Sequence, residues 1–189
     1  PTPGNWDYVD YPTRTAILGA TKLTGRLHSG TSIGAMATVT GREWARVYND
    51  DMWVDTLVSG IDSTFDTTDA GTHDIEVQSP AFYGIARVVQ EFGQNGSTIG
   101  GMFTAVARTI DSASPLYSRQ RDKAFTGGID WNWRFAGGQY VFSGLLGGSS
   151  VSGSEEAIAR TQRSSSRYFQ RPDADYVSFD QTKKSLSGY

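Results

Sequence analysis

Apolar and polar residues alternate along six stretches of this chain, and within each stretch nearly every charge falls on one parity. From Phe125 to Phe135 the pattern is plainest: Phe125, Gly127, Ile129, Trp131, Trp133 and Phe135 share one face, and Thr126, Gly128, Asp130, Asn132 and Arg134 share the other. A strand imposes a period of two; a helix cannot reproduce it. Between Thr15 and Leu27, Ile17, Gly19, Thr21 and Leu23 oppose Lys22, Thr24 and Arg26. Ile33, Ala35, Ala37 and Val39 oppose Ser32, Thr38, Thr40, Arg42 and, further out, Arg46. Phe82, Gly84, Ala86 and Val88 oppose Arg87 and Glu91, while Ile99, Gly101, Phe103, Ala105 and Ala107 oppose Thr98, Thr104 and Arg108. The sixth run, Tyr140, Phe142, Gly144 and Leu146 against Val141, Ser143 and Leu145, is largely apolar on both faces.

The connections between these runs alternate in length. His28 to Gly30, Gln94 to Ser97 and Ala136 to Gln139 are hairpin-sized and carry the Gly and Asn that tight turns need. Between them lie long segments at about 48–74, 111–123 and 149–175. Connections of over about twenty structureless residues are rare in compact domains, whereas short periplasmic turns alternating with long outer loops are the plan of a transmembrane barrel. The expected fold is therefore all-β, an antiparallel up-and-down transmembrane β-barrel in the bacterial outer membrane. Its rival is a soluble β-sandwich, which would turn the same apolar face inward.

Electrostatics fixes the register within that reading. An Arg or Lys facing lipid at mid-bilayer costs roughly 2–4 kcal/mol, and a slip of one residue would place every strand charge there. Glu43 shares the apolar parity but falls near the outer end of a long run. Phe92, Trp133, Phe135 and Tyr140 flank the short turns, as an interfacial girdle would. The polar face gathers Lys22, Arg26, Arg42, Arg46, Arg87, Arg108 and Arg134 against Glu91 and Asp130, a cationic wall of the kind that favours anions. The alternative is that acids from strands outside this chain neutralise it.

Composition removes several classes. With 38% hydrophobic residues and no apolar run of about eighteen, no helical span is expected. Absence of cysteine rules out disulfides and thiolate sites, and a net charge of −3 leaves no footprint for nucleic acid. His28 and His73 are too few and too far apart for a His-metal or Ser-His-Asp arrangement. Asp62, Asp66, Asp69 and Asp74 bring carboxylates together in one loop, but without the spacing of a twelve-residue calcium loop. Neither a metal nor a cofactor is expected. Glu155 and Glu156 are adjacent and cannot form the opposed acid pair of a glycosidase. They instead follow Ser154 as the first turn of a capped short helix. Tyr168, Phe169, Arg171 and Asp173 form an aromatic and arginine cluster in the last outer loop, a candidate surface for a sugar or a partner.

Four blocks carry a family likeness: residues 15–26, Gly127 to Trp131, the Arg-Tyr-Phe-Gln-Arg-Pro-Asp run within 166–175, and Ser185 to Tyr189. They resemble an uncharacterised bacterial family of outer-membrane barrels, a domain of unknown function that follows a module similar to carbohydrate-binding family nine. The resemblance implies an outer-membrane barrel with a sugar-binding module upstream. It implies no established reaction. Pro1 follows neither a methionine nor a signal stretch. Six runs and a seventh expected near Asp175 to Asp180 make an odd set, whereas single-chain bacterial barrels use even numbers from about eight. Residues 1–189 are thus expected to be one segment of a larger barrel, incomplete at both ends, with lipid, carbohydrate and the remainder of that barrel as partners. Uptake or surface binding of carbohydrate-related or anionic solutes is the expected role. A barrel-anchored glycoside-processing enzyme and a soluble carbohydrate-binding sandwich are the alternatives.

Overall fold

The computed structural model describes residues 8–49, 71–166, 169, 173 and 175–189. In chain order the strands are β1 (Tyr8–Asp10), β2 (Ile17–Arg26), β3 (Thr31–Thr40), β4 (Glu43–Asn49), β5 (Gly71–Gln78), β6 (Ala81–Phe92), β7 (Ser97–Arg108), β8 (Arg121–Phe135) and β9 (Tyr140–Gly153). Helix α1 (Glu155–Arg163) and a short β10 (Ser185–Gly188) follow. A seven-stranded antiparallel sheet runs in the order β10-β9-β8-β7-β6-β3-β2, and a three-stranded one in the order β1-β4-β5. The described residues are mostly strand, and every pairing among them is antiparallel.

All six alternating runs lie in strands, and their parity carries across the sheet. One ladder of facing residues reads Leu23, Ala35, Ala86, Phe103, Gly127 and Gly148 from β2 to β9. Its neighbour on the opposite face reads Lys22, Met36, Ile85, Thr104, Thr126 and Ser149. Because the side-chain period is two, a single slip anywhere would have mixed these rows. The short turns all close at one end of the sheet. At the first, Gly30 adopts φ +83° and a Cβ there would meet the Glu91 carbonyl at 2.9 Å, so only glycine fits.

Four features differ from the sequence expectation. The run from Ile33 to Arg46 is two strands, broken at Gly41–Arg42, and the second half joins the smaller sheet. Pro80, which has no amide hydrogen, marks the matching break between β5 and β6. The expected outer loop at 48–74 gives way to β5 at Gly71, the one at 111–123 to β8 at Arg121, and β9 runs on to Gly153. Residues 175–180 are turn and irregular chain; the further strand falls at Ser185–Gly188 instead. Its only large apolar residue, Leu186, is too little for an alternation to announce. Finally, among the described residues the sheet does not close: β2 and β10 stand at its two edges.

Ala45 and Val47 on β4 and Leu116 ahead of β8 are buried apart from the one cluster that forms a core. Val151 on β9, Ile158 on α1 and Leu186 on β10 form a small core, with Ala124 and Phe169 packed against it. Val151 and Leu186 face each other on the polar-parity side, so α1 lies over that side of the sheet at the long-connection end. Ser154 caps the helix, its hydroxyl accepting from the Ala157 amide at 3.2 Å, with Glu155 and Glu156 in the first turn and Arg160 and Arg163 in the last. The opposite side has no second layer among the described residues. Leu23 is 63% exposed, Phe103 50%, Ile129 48% and Leu146 62%.

Candidate functional site

The polar-parity face is built by cross-strand ion pairs. Arg26 on β2 pairs with Glu91 on β6, stepping over β3. Arg87 on β6 pairs with Asp130 on β8 at 2.9 Å, stepping over β7. The second crossing depends on Gly100, where a Cβ would stand 3.0 Å from an Asp130 carboxylate oxygen and 3.2 Å from an Arg87 nitrogen. Arg108 donates to the Arg121 carbonyl at 3.1 Å, and Arg134 to the Asn132 side-chain oxygen at 3.2 Å. Lys22 has no ion-pair partner among the described residues. Arg42 lies in the break itself and Arg46 on the smaller sheet, where they meet Glu76 of β5 at 3.3 Å and Asp74 at 3.7 Å. Four of the seven predicted cations thus face acids of this same chain. Of the predicted cations, the main sheet keeps Lys22, Arg108 and Arg134 with no acid partner among the described residues, and Lys123 on β8 is a further cation without one.

A cavity of about 660 Å³ opens on this face between the middle strands and the chain near β10. Thr104, Thr126 and Ser149 line its wall, the Arg87–Asp130 pair its side, and Phe169 and Leu186 its end nearest α1. Of the predicted outer-loop cluster, Tyr168 and Arg171 lie outside the described residues. Phe169 is half-buried against the Val151–Ile158–Leu186 core, and its amide donates to the Gln162 carbonyl at 2.9 Å. Asp173 is exposed and engaged in an interaction of its own. Of the four loop aspartates, Asp74 alone is described, in its pair with Arg46. His28 is exposed in its turn, and His73 faces Val47 across β4 and β5.

Gln162, fully buried, ties the far side of α1 to the returning chain: its amide nitrogen donates to the Asp180 carbonyl at 2.7 Å, and its oxygen accepts from the Asp180 amide at 2.9 Å. The Asp180 carboxylate accepts from both the hydroxyl and the amide of Thr182, which holds its carboxyl below the usual range. Sequence reasoning missed Glu76 and Asp74 as partners because β5 sits at the end of an Asp-rich stretch. The signal was there: His73, Ile75 and Val77 alternate with Asp74, Glu76 and Gln78.

On the apolar-parity side, Trp131, Trp133 and Phe142 form a cluster with ring centroids 5.9–6.4 Å apart. The Trp131 ring covers Gly144, where a Cβ would come within 2.3 Å of it, an aromatic side chain filling the gap a strand glycine leaves. Fold and site together define a class: an open antiparallel sheet with one uncovered apolar face and one ion-paired face. The family model for a domain of unknown function (DUF5916) matches residues 3–168, and the chain belongs to that family. Neither the curated proteins nor the solved structures yield a match.

Proposed function

We propose that the chain forms part of the wall of an outer-membrane β-barrel, with the apolar-parity face against lipid and the ion-paired face against an aqueous lumen that admits or binds carbohydrate-related or anionic solutes. The observation that carries this reading is the asymmetry of a single sheet. Large apolar side chains from β2 to β9 stand open on one side, with Lys123 as a charge only near its long-connection end, while the cross-strand ion pairs and α1 share the other, where Met36, Met102 and Leu145 are also exposed. A soluble sandwich would have to cover that apolar side, since exposed patches beyond a few hundred Å² are rare on monomers in water. The free backbone edges of β2 and β10 would be costly in hydrocarbon, so further strands of the same barrel are the partners proposed for them. The resemblance to barrels that follow a sugar-binding module supports carbohydrate as the solute class.

Two measurements test it. The full-length protein, folded in detergent, should migrate differently on a gel before and after boiling, and should partition into micelles. A monomer that stays soluble without detergent would end the membrane reading. In planar bilayers the uncompensated Lys22, Arg108 and Arg134 should give a reversal potential of anion-preferring sign. Cation preference, or no conductance, would remove the pore while leaving surface binding.

A further inference from the structure

The apolar-parity side changes character at one corner. Along β8 it carries Phe125, Ile129, Trp131, Trp133 and Phe135, but at the long-connection end it carries Lys123. One rung of the sheet reads Val39, Phe82 and Ala107 on β3, β6 and β7, then Lys123, Ser152 and Ser185 on β8, β9 and β10. Two residues along β8, Phe125 is followed on the same strands by Ser150 and Ser187. The switch is therefore local to three strands. Lys123 is exposed and has no ion-pair partner among the described residues. Ser152 donates to the Asp122 carboxylate at 2.9 Å, whereas Ser150, Ser185 and Ser187 have no side-chain partner among the described residues. Toward the middle of the sheet, Phe125 stacks on Phe103 with ring centroids 6.1 Å apart.

Depth sets this corner at a boundary. Lys123 stands five residues from Gly128, the middle of β8, which is about 17 Å along a strand that rises about 3.4 Å per residue. A tilt of about 45° turns that length into about 12 Å of height, half of an apolar band about 25 Å tall. On the membrane orientation proposed above, on which this inference rests, the ammonium lies where hydrocarbon ends and headgroups begin. From this we infer that the Lys123 corner binds the phosphate of an anionic lipid: the ammonium pairs with the phosphate, the hydroxyls of Ser150, Ser185 and Ser187 donate to its oxygens, and an acyl chain lies along Phe125 and Phe103. The lysine needs an anion, and the serines are donors that the sheet leaves unused. Asp122, the adjacent acid, is half-buried, turned to Ser152 and forms no ion pair with Lys123. A zwitterionic headgroup offers the same phosphate but brings its own cation to the lysine. A carboxylate from a protein would answer Lys123 and leave the rings beside it bare.

The test uses the full-length protein in detergent micelles, titrated with phosphatidylglycerol or with phosphatidylcholine of the same acyl chains, and native mass spectrometry to count the lipid retained. Phosphatidylglycerol should be retained saturably and at least tenfold more tightly than phosphatidylcholine. Lys123→Met should erase that preference and Lys123→Arg should keep it, while the double change Ser150→Ala and Ser187→Ala should weaken phosphatidylglycerol at least threefold. Each variant should keep the shift in gel migration on boiling, which separates a lost lipid from a lost fold. Equal retention of the two lipids by a protein that inserts into micelles, or a preference unchanged in Lys123→Met, would overturn the site and spare the barrel. Displacement of the lipid by inorganic phosphate would assign the corner to the free ion and overturn the lipid. A protein that stays out of micelles would overturn the site and the membrane reading together.

Discussion

Replacing Ile129 with arginine distinguishes a lipid-facing side from a water-facing one by magnitude alone. Ile129 sits one residue from the middle of the fifteen-residue β8, flanked by Gly101 on β7 and Leu146 on β9. At that depth an arginine facing hydrocarbon costs roughly 2–4 kcal/mol. If the same side faced water, the side chain, already 48% exposed, would lose at most about 1 kcal/mol of partial burial. Thr126→Arg is the control: it lies on the opposite face, between Thr104 and Ser149, and is exposed. Its cost should stay within about 0.5 kcal/mol. Urea unfolding from phosphatidylcholine vesicles, followed by tryptophan fluorescence, gives both values. If Ile129→Arg and Thr126→Arg cost the same, or if Ile129→Arg costs under about 1 kcal/mol, the assignment of the two faces fails.

Asp130→Asn should leave Arg87 unneutralised and shift the reversal potential further toward anions, whereas Gly100→Val should part the pair without changing the net charge and leave selectivity where it was. Because the pair is exposed, each should alter stability by no more than about 1 kcal/mol; a larger loss on either would mean the pair is structural. Gln162→Leu should cost about 2–3 kcal/mol, since it strands the Asp180 amide and carbonyl that it now satisfies at 2.9 and 2.7 Å, and hydrogen exchange of the Asp180 amide should quicken. The lowered carboxyl of Asp180 stabilises the turn to Thr182 above the ordinary carboxylate range, and that contribution fades as pH falls from about 4 through the lower folded value. Asp180→Asn should flatten the acid-dependent loss of the Thr182 amide signal, and an unchanged titration would refute the assignment.

Strand, face and register were legible because one physical rule governs them all. With a period of two, parity assigned each charge a side, and the pairings of Lys22 with Met36 and of Thr104 with Thr126 kept those sides from β2 to β9. Ser154 and its two glutamates announced α1 for a similarly local reason. What escaped depended on distant partners. Glu76 and Asp74 became visible as acids for Arg42 and Arg46 only once β5 lay beside β4. Phe169 reads from sequence as a free aromatic, yet it is drawn into the core by Val151, Ile158 and Leu186, three residues from three different elements.

The way the charges pair bears on what the ion-paired face can recognise. Strands one apart lie about 4.8 Å from each other, so residues on alternate strands are about 10 Å apart at the backbone. Arginine can reach an acid across that distance only where the intervening side chain is small, as Ser32 is beside Arg26 and Gly100 beside Asp130. An exposed pair contributes too little in water to explain keeping glycine in a strand, where it is itself destabilising by about 0.5–1 kcal/mol. The larger consequence is electrostatic. Each crossing cancels a cation in the middle or at the short-turn end of the face, and leaves Lys22, Arg108 and Arg134 spread over three strands. Charges so dispersed attract anions weakly and everywhere rather than tightly at one point. On the proposed lumen, then, this face would guide a solute along its wall rather than hold it tightly at one point.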